Sequence, residues 1–300
     1  MSAPNIYRTM ADLKGLSLRN CAPMPEPSGV LMCPPKYYNV LEVKNPLMIG
    51  HIGTINRHAA RAQWEELRKK FGEAGREVSL IDPVEGLEDM VFCANQVMVG
   101  LNAKMEKVCL LGAMRHPSRR REVAAFEAWF SAAGYRIKRL EDPNHSFEGA
   151  GDALWHPGKR LIWGGYGFRS DGEVYPDVAR AFDAPVILLK LVNERFYHLD
   201  TCFCPLTPEA VLVYPPAFDP ESLGLILKLF PIVVVAEEPE ATRQLACNAA
   251  VVGSKLAIIQ RGSAGAIRNM AAIGLKVIEV DTSEYIKSGG SVYCMKMFIY

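Results

Sequence analysis

Residues 249 to 280 read AAVVGSKLAIIQRGSAGAIRNMAAIGLKVIEV, a stretch in which apolar, β-branched runs bracket one helical window. AAVVGSKLAII and KVIEV carry strand chemistry, and SAGAIRNMAAIG between them has amphipathic helical spacing. Upstream the same order recurs. GVLMC, the window HAARAQWEELRKKFGEAG and EVSLI form one unit, and MVFCANQVMVG with VCLLG, SRRREVAAFEAWFSAAG and YRIKRL form a second. KRLIWGG, GEVYPDVARAF and PVILL make a third; AVLVY, PESLGLILKLF and IVVVA make a fourth. Five such units of roughly 50 residues, with no low-complexity linker between them, predict an α/β chain of repeated ββαβ units, set radially or in tandem rather than as independent domains. SVYCMKMFIY supplies a last strand. On this division residues 1–28 are a Pro-rich N-terminal arm and residues 29–300 a single domain. A doubly wound parallel sheet competes with this arrangement but lacks its glycine-rich phosphate loop, since SGGS at 288–291 leads into a strand instead of a helix.

Composition narrows the function classes. The chain has 300 residues, 49% of them hydrophobic, and its 34 basic and 33 acidic side chains leave a formal charge of +1. That balance provides no basic stripe for nucleic acid, and Arg119–Arg121 is a local run. The N-terminus shows no signal-peptide core, and no apolar window is long enough to span a bilayer, so a cytoplasmic location without membrane association is expected. Eight cysteines in such a chain are expected to be reduced thiols. Nothing in the sequence decides whether the chain forms a homo-oligomer.

Five polar clusters interrupt the apolar pattern: KNPLM at 44–48, EDMVFCAN at 88–95, FEGAGDAL at 147–154, FYHLDTCFCP at 196–205 and SGGSVYC at 288–294. One such cluster would be a cap or a turn; five ask for a shared site. Cys294 follows a glycine pair in the terminal strand, where a sulfur can face a cavity, although a cysteine in an apolar strand is commonly a small buried hydrophobe. His198 is the candidate base, in a strand-like run with Asp200 two residues on and on the same face. Glu148 and Asp152 lie in FEGAGD, where small neighbours would let a ligand approach the backbone. Alternation of His198, Asp200, Cys202 and Cys204, without paired Cys-x-x-Cys knuckles, argues against a metal site and leaves the last two as packing residues.

FEGAGDAL, YHLDTCFCPL and SGGSVYC, in that order, resemble the guanidine-modifying superfamily of arginine deiminases, dimethylarginine dimethylaminohydrolases and amidinotransferases, and the likeness runs from MCPPKYYNVLEVKNPLM to Cys294. The resemblance implies the five-bladed α/β propeller called the pentein fold, with residues 29–300 as its catalytic domain. It implies that Cys294 is the nucleophile, that His198 is the general acid and base, and that Glu148 and Asp200 grip the guanidinium of a small substrate. No cofactor is implied. Carboxylates at the edge of a planar cation give charge-assisted, oriented hydrogen bonds. Thiolate attack, protonation of the departing amine by His198 and activation of water against the covalent thiouronium would follow.

At FCAN the sequence departs from the deiminases and dimethylargininases, which end this strand in Arg-Asp. Asn95 matches instead the Thr-Ala-Asn pattern of the dihydrolase-like relatives, with Cys93 in place of threonine and a further departure at Gln96. Aspartate only accepts hydrogen bonds, whereas an asparagine amide also donates, so Asn95 would retain a neutral ureido product for a second cut that yields ornithine, carbon dioxide and ammonia. Arg169, 21 residues after Glu148, and Arg115 are the candidates for the substrate's α-carboxylate, and Asn45 falls in a family motif that faces the ligand. Against this dihydrolase expectation stand dimethylargininase or deiminase chemistry ending at citrulline, amidino transfer to an amine, and a non-catalytic arginine sensor, which would need the clamps but not the thiol.

Overall fold

The computed structural model describes residues 5–300 and contains sixteen strands, the first of which, β1 (Ile6–Tyr7), belongs to the N-terminal arm. The others are β2 (Gly29–Met32), β3 (Glu77–Leu80), β4 (Val97–Leu101), β5 (Lys107–Leu111), β6 (Arg136–Lys138), β7 (Ala153–Trp155), β8 (Ile162–Tyr166), β9 (Val186–Lys190), β10 (Phe203–Thr207), β11 (Ala210–Val213), β12 (Ile232–Val235), β13 (Ala250–Val252), β14 (Leu256–Gln260), β15 (Lys276–Val280) and β16 (Met297–Ile299).

These strands form five separate sheets, ordered β16-β2-β3, β4-β5-β6, β7-β8-β9, β10-β11-β12 and β13-β14-β15. In each, the first strand is antiparallel to the second and the second is parallel to the third. A parallel pair needs a crossover, and each sheet has a helix for it: Arg57–Glu73, Glu122–Ala132, Tyr175–Phe182, Pro220–Leu229 and Ala264–Ala272. The first of these helices shows why the sequence folds so. Asn56 caps it by accepting from the Ala59 N–H, and Ala60, Trp64, Leu67 and Phe71, at helical spacing, are its buried stripe. Thus the chain is a mixed α/β fold of ββαβ units, as the repeat pattern predicts.

One unit is assembled from both ends of the chain. The antiparallel partner of β2 is β16, with Met297, Phe298 and Ile299 opposite Leu31, Val30 and Gly29. First strands of the five sheets also share a cavity of about 100 Å³, to which Val99, Leu154, Cys204, Val251 and Met297 contribute together with Met24–Pro27 of the arm. The arm is docked throughout this region: β1 adds in parallel to β9, and Pro23 pairs with Lys159. That addition explains why β9 is buried along most of its length while the third strands of the other sheets are largely exposed.

Three strand expectations are corrected. MVFCANQVMVG becomes extended only from Val97, because Glu88–Val91 winds into a 3-10 turn. His198 is not in a strand; it precedes the 3-10 turn Leu199–Thr201, and the Thr201 hydroxyl donates to its carbonyl at 2.6 Å. Cys294 is not in a strand either, since only Met297–Ile299 of SVYCMKMFIY pairs. In each case local hydrogen bonds compete with the ladder for the backbone, which hydrophobicity alone does not register.

Phe203 on β10 is fully buried and packs on Trp163 at a centroid distance of 5.2 Å, whereas Leu227 is 56% exposed on the helix of the same sheet. Phe203→Ala is expected to cost about 3–5 kcal/mol in urea unfolding, and Leu227→Ala less than about 0.5 kcal/mol. Equal costs would mean that the core between these sheets is not where the packing puts it.

Candidate active site

Four of the five sheets bring a polar cluster to the N-terminal end of the first strand: Asn95 before β4, Glu148 and Asp152 before β7, His198 and Asp200 before β10, and Cys294 before β16. The fifth contributes Asn248, two residues before β13. A narrow cleft lies there, walled by Lys44, Asn45, Asp89, Asn95, Arg119, Arg169, His198 and Cys294 among others.

Cys294 is buried, and its thiol lies 3.2 Å from Asp200 Oδ2 and 3.2 Å from Asn248 Nδ2. Asn248 also accepts the backbone N–H groups of Ser291 and Cys294 and donates to the Asp200 carbonyl. One amide therefore curls the chain around the sulfur and points a donor at it. Burial pushes the Cys294 thiol well above its ordinary pKa, and the neighbouring Asp200 charge pushes the same way. Asp200 is itself raised to about 7, chiefly by burial. Its Oδ1 is buried and has no partner, and Oδ1 of Asp89 on the cleft wall is in the same condition. Asp89 Oδ2 is held by Lys44 Nζ at 2.7 Å.

His198 donates or accepts through Nε2 at 2.6 Å from Glu148 Oε2, and its Nδ1 is 3.5 Å from Asn95 Nδ2. Glu148 is completely buried and fully engaged. It accepts the Arg115 backbone N–H at 3.1 Å, the Arg169 guanidinium at 3.0 Å and the imidazole. Burial would raise its pKa, but the charges of Arg169 and His198 outweigh this and hold the carboxyl well below its usual range. Glu148 at Nε2 orients the imidazole so that Nδ1 lies on the Asn95 side of the ring. Both Glu148 oxygens are engaged by protein donors, and neither Glu148 nor Asp200 is among the residues that wall the cleft.

The remaining expected residues divide. Arg169 walls the cleft, stacked over Tyr197 at 4.7 Å and donating to the Lys44 carbonyl. Asn45 walls it as well, but its amide is committed to the Leu47 N–H and the Ser288 carbonyl. Arg115 brings only its backbone; its half-exposed side chain turns to Asp171. In FEGAGD the glycines make room for protein atoms, not for a ligand. A Cβ on Gly151 would collide with the Asn95 amide, and Gly149 has φ of +56° with a Cβ position blocked by the Val97 carbonyl. Asp152 holds Ser170 Oγ and the Leu199 N–H, with burial raising it to about 6. All eight cysteines are free, and Cys202 and Cys204 are core residues. Among the described residues no three His, Cys, Asp or Glu side chains form a metal-ligating group.

Sequence reasoning missed Asp89, Arg119 and Asn248. Asp89 stood within the quoted EDMVFCAN cluster and Asn248 interrupts the apolar run LACNAAVV, so both left a signal; Arg119 looked like part of a solvated basic run.

Comparison with known proteins agrees with this geometry. The family profile described as N,N dimethylarginine dimethylhydrolase, eukaryotic, matches residues 45–300. The chain is 38% identical over 270 residues to the bifunctional arginine dihydrolase/ornithine cyclodeaminase ArgZ of Synechocystis, covering 89% of this chain but only 37% of ArgZ. It is 34% identical over 269 residues to the N(G),N(G)-dimethylarginine dimethylaminohydrolase of Mycobacterium tuberculosis, covering 90% of this chain and 85% of that one. A solved N-terminal domain of ArgZ bound to product superposes with a TM-score of 0.85 at 38% identity, over 90% of this chain and 97% of that domain. The fold, the buried thiol and these likenesses together show that the chain belongs to the dimethylarginine dimethylaminohydrolase family of the guanidine-modifying superfamily.

Proposed function

We propose that the protein is a cysteine-dependent hydrolase of the amidine C–N bonds of L-arginine, releasing ornithine, carbon dioxide and two molecules of ammonia with two waters consumed. What carries this reading is the pair of unpartnered, buried carboxylate oxygens, Asp89 Oδ1 on the cleft wall and Asp200 Oδ1 beside Cys294. Buried acceptors without donors are costly, and a guanidinium supplies several donors in one plane. Its positive charge also offsets the burial that keeps Cys294 protonated, so the thiolate forms where the substrate is bound.

Cys294 gives its proton to His198 and Sγ bonds to the guanidinium carbon; the C–N bond to the terminal nitrogen then breaks, and His198 passes that proton to the nitrogen as ammonia leaves. Water, deprotonated by the same imidazole, adds to the thiouronium carbon and expels the thiolate, leaving a ureido group. A second attack expels the second ammonia and leaves a thiocarbamate; water releases carbon dioxide and ornithine. Glu148 orients the imidazole throughout. Arg169, on the cleft wall, meets the substrate's carboxylate in preference to Arg115. Nothing in this sequence of steps calls for a cofactor.

The two-step reading draws on Asn95 and on the likeness to ArgZ; that relative is more than twice as long, so its whole activity is not transferred. The second reading, hydrolysis of methylated arginine to citrulline and an alkylamine, is favoured by the matched family profile and by the mycobacterial relative, most of whose length is covered. The five first strands around one cavity, and the β16–β2 closure, support a five-bladed propeller for residues 29–300, and the contacts of the described residues 5–28 support reading 1–28 as an arm. No helix among the described residues is long and apolar enough to cross a membrane, which is compatible with the proposed cytoplasmic location.

Purified protein given L-arginine is expected to yield ornithine with two equivalents of ammonia; citrulline with one equivalent would reject the second hydrolysis, and turnover confined to methylated arginines would select the other reading. Cys294→Ala should lower turnover by roughly 10³-fold or more with little change in the unfolding midpoint; retention of a tenth of the activity would remove Cys294 from the mechanism. Because the thiolate is the reactive form and the thiol is raised, alkylation of the free enzyme by iodoacetamide should keep accelerating with pH beyond 9. A rate that levels off below pH 8 would mean that the thiol is already ionised without substrate.

A further inference from the structure

Lys296 stands directly before β16 and two residues after Cys294, and only 1% of it is exposed. It does not wall the cleft. Its ammonium lies 3.0 Å from the centre of the Tyr293 ring and 4.2 Å from that of Phe298. Ring faces attract a cation but satisfy none of its three N–H donors. No carboxylate among the described residues touches it, and the negative charge that acts on it most is that of Asp200, followed by Cys294, Cys204 and Cys93.

Asp200 is the complementary case. Its Oδ2 lies 3.2 Å from Cys294 Sγ, its carbonyl accepts from Asn248, and its Oδ1 is buried without a partner. Burial holds a proton on a carboxylate and strips one from an amine. It raises the Asp200 carboxyl to about 7 and lowers the Lys296 ammonium to about 7, and the charge of each opposes the change in the other. Glu148, a further charge acting on Asp200, pushes its carboxyl up. Two groups so placed titrate as a pair around one proton. With the proton on Asp200, one of its oxygens becomes a donor; with the proton on Lys296, both oxygens accept.

We infer that Lys296 is a positioning residue of the site, the internal counter-ion that takes the proton burial would leave on Asp200 and so presents that carboxylate to the guanidinium as an acceptor. The inference rests on the reading above in which Asp200 Oδ1 receives the substrate cation. An ammonium in contact with Oδ1 would occupy the acceptor that the substrate needs. One seated on aromatic faces beyond contact supplies the charge and leaves the oxygen open.

The experiment follows the Asp200 carboxyl directly, by carbon-13 NMR of protein labelled at the aspartate carboxyls and assigned with Asp200→Asn, in wild type and in Lys296→Met. Methionine fills the aromatic slot without a charge. The half-ionisation of Asp200 should rise by about one pH unit in Lys296→Met, and kcat/KM for L-arginine at around pH 6 should fall about tenfold. The two rate profiles should converge above roughly pH 9, where the wild-type amine is neutral as well. That profile also carries His198 and Cys294, and the carboxyl resonance isolates Asp200 from both. A lysine that only fills space would leave the resonance titrating as in wild type, which would overturn the inference; so would a shifted resonance with kcat/KM unaltered at low pH. Should Lys296→Met fail to fold, Lys296→Gln serves the same comparison. The titration is made on the free enzyme, so failure to turn over L-arginine would reject the proposed substrate while the resonance still decides the role of Lys296.

Discussion

Three residues of backbone pairing, Met297–Ile299 with Gly29–Leu31, join the two ends of the chain into one sheet. Cys294 stands just before that pairing, and EDMVFCAN, FEGAGDAL and FYHLDTCFCP stand before the corresponding strands of their own sheets. A thiol at the end of the sequence meets Asp200 and Asn248 because the last strand is held against the second. The closure is non-local, so its pairing has to offset the chain entropy lost in bringing the termini together. The apolar contacts of β2 and β16 with their neighbouring cores supply the compensation.

Around the cleft the fold buries many charges at once: Lys44, Asp89, Arg119, Glu122, Glu148, Arg169, Asp200 and Lys296. Removing ions from water is expensive unless each finds partners, and most here do. Glu148 lies between Arg169 and His198, Arg119 between Glu122 and Asn95, and Lys44 between Glu88 and Asp89. Lys296 is the cation that burial affects most plainly, its pKa brought down to about 7 despite the nearby Asp200. Asp89 and Asp200 each keep one oxygen without a donor. Hydrogen-bond networks of this kind hold a proton or an amide in one orientation.

Much of this was legible beforehand because it depends on periodicity and residue chemistry. The stretch 249–280 shows its helix and strands directly, and the order of clusters from FEGAGDAL to SGGSVYC carries the family. The errors fell on short segments whose backbone obeys local hydrogen bonds. His198 and Cys294 were expected in strands, and both lie in turns closed by Thr201 and Asn248. A carboxylate suits a guanidinium, but the sequence does not show that three protein donors converge on Glu148. Arg119 was passed over as one arginine of a surface run, although its neighbours Arg120 and Arg121 are the exposed ones.

By itself, then, the sequence determined the repeated ββαβ plan and the superfamily, since these follow from local pattern and from motifs read in order. Only the tertiary structure decided which acceptors remained free, which arginine faced the cleft and which way the Asn95 amide turned. Those outcomes depend on which donors arrive from distant sheets, and a linear pattern carries no record of hydrogen bonds that are formed only when the chain closes on itself.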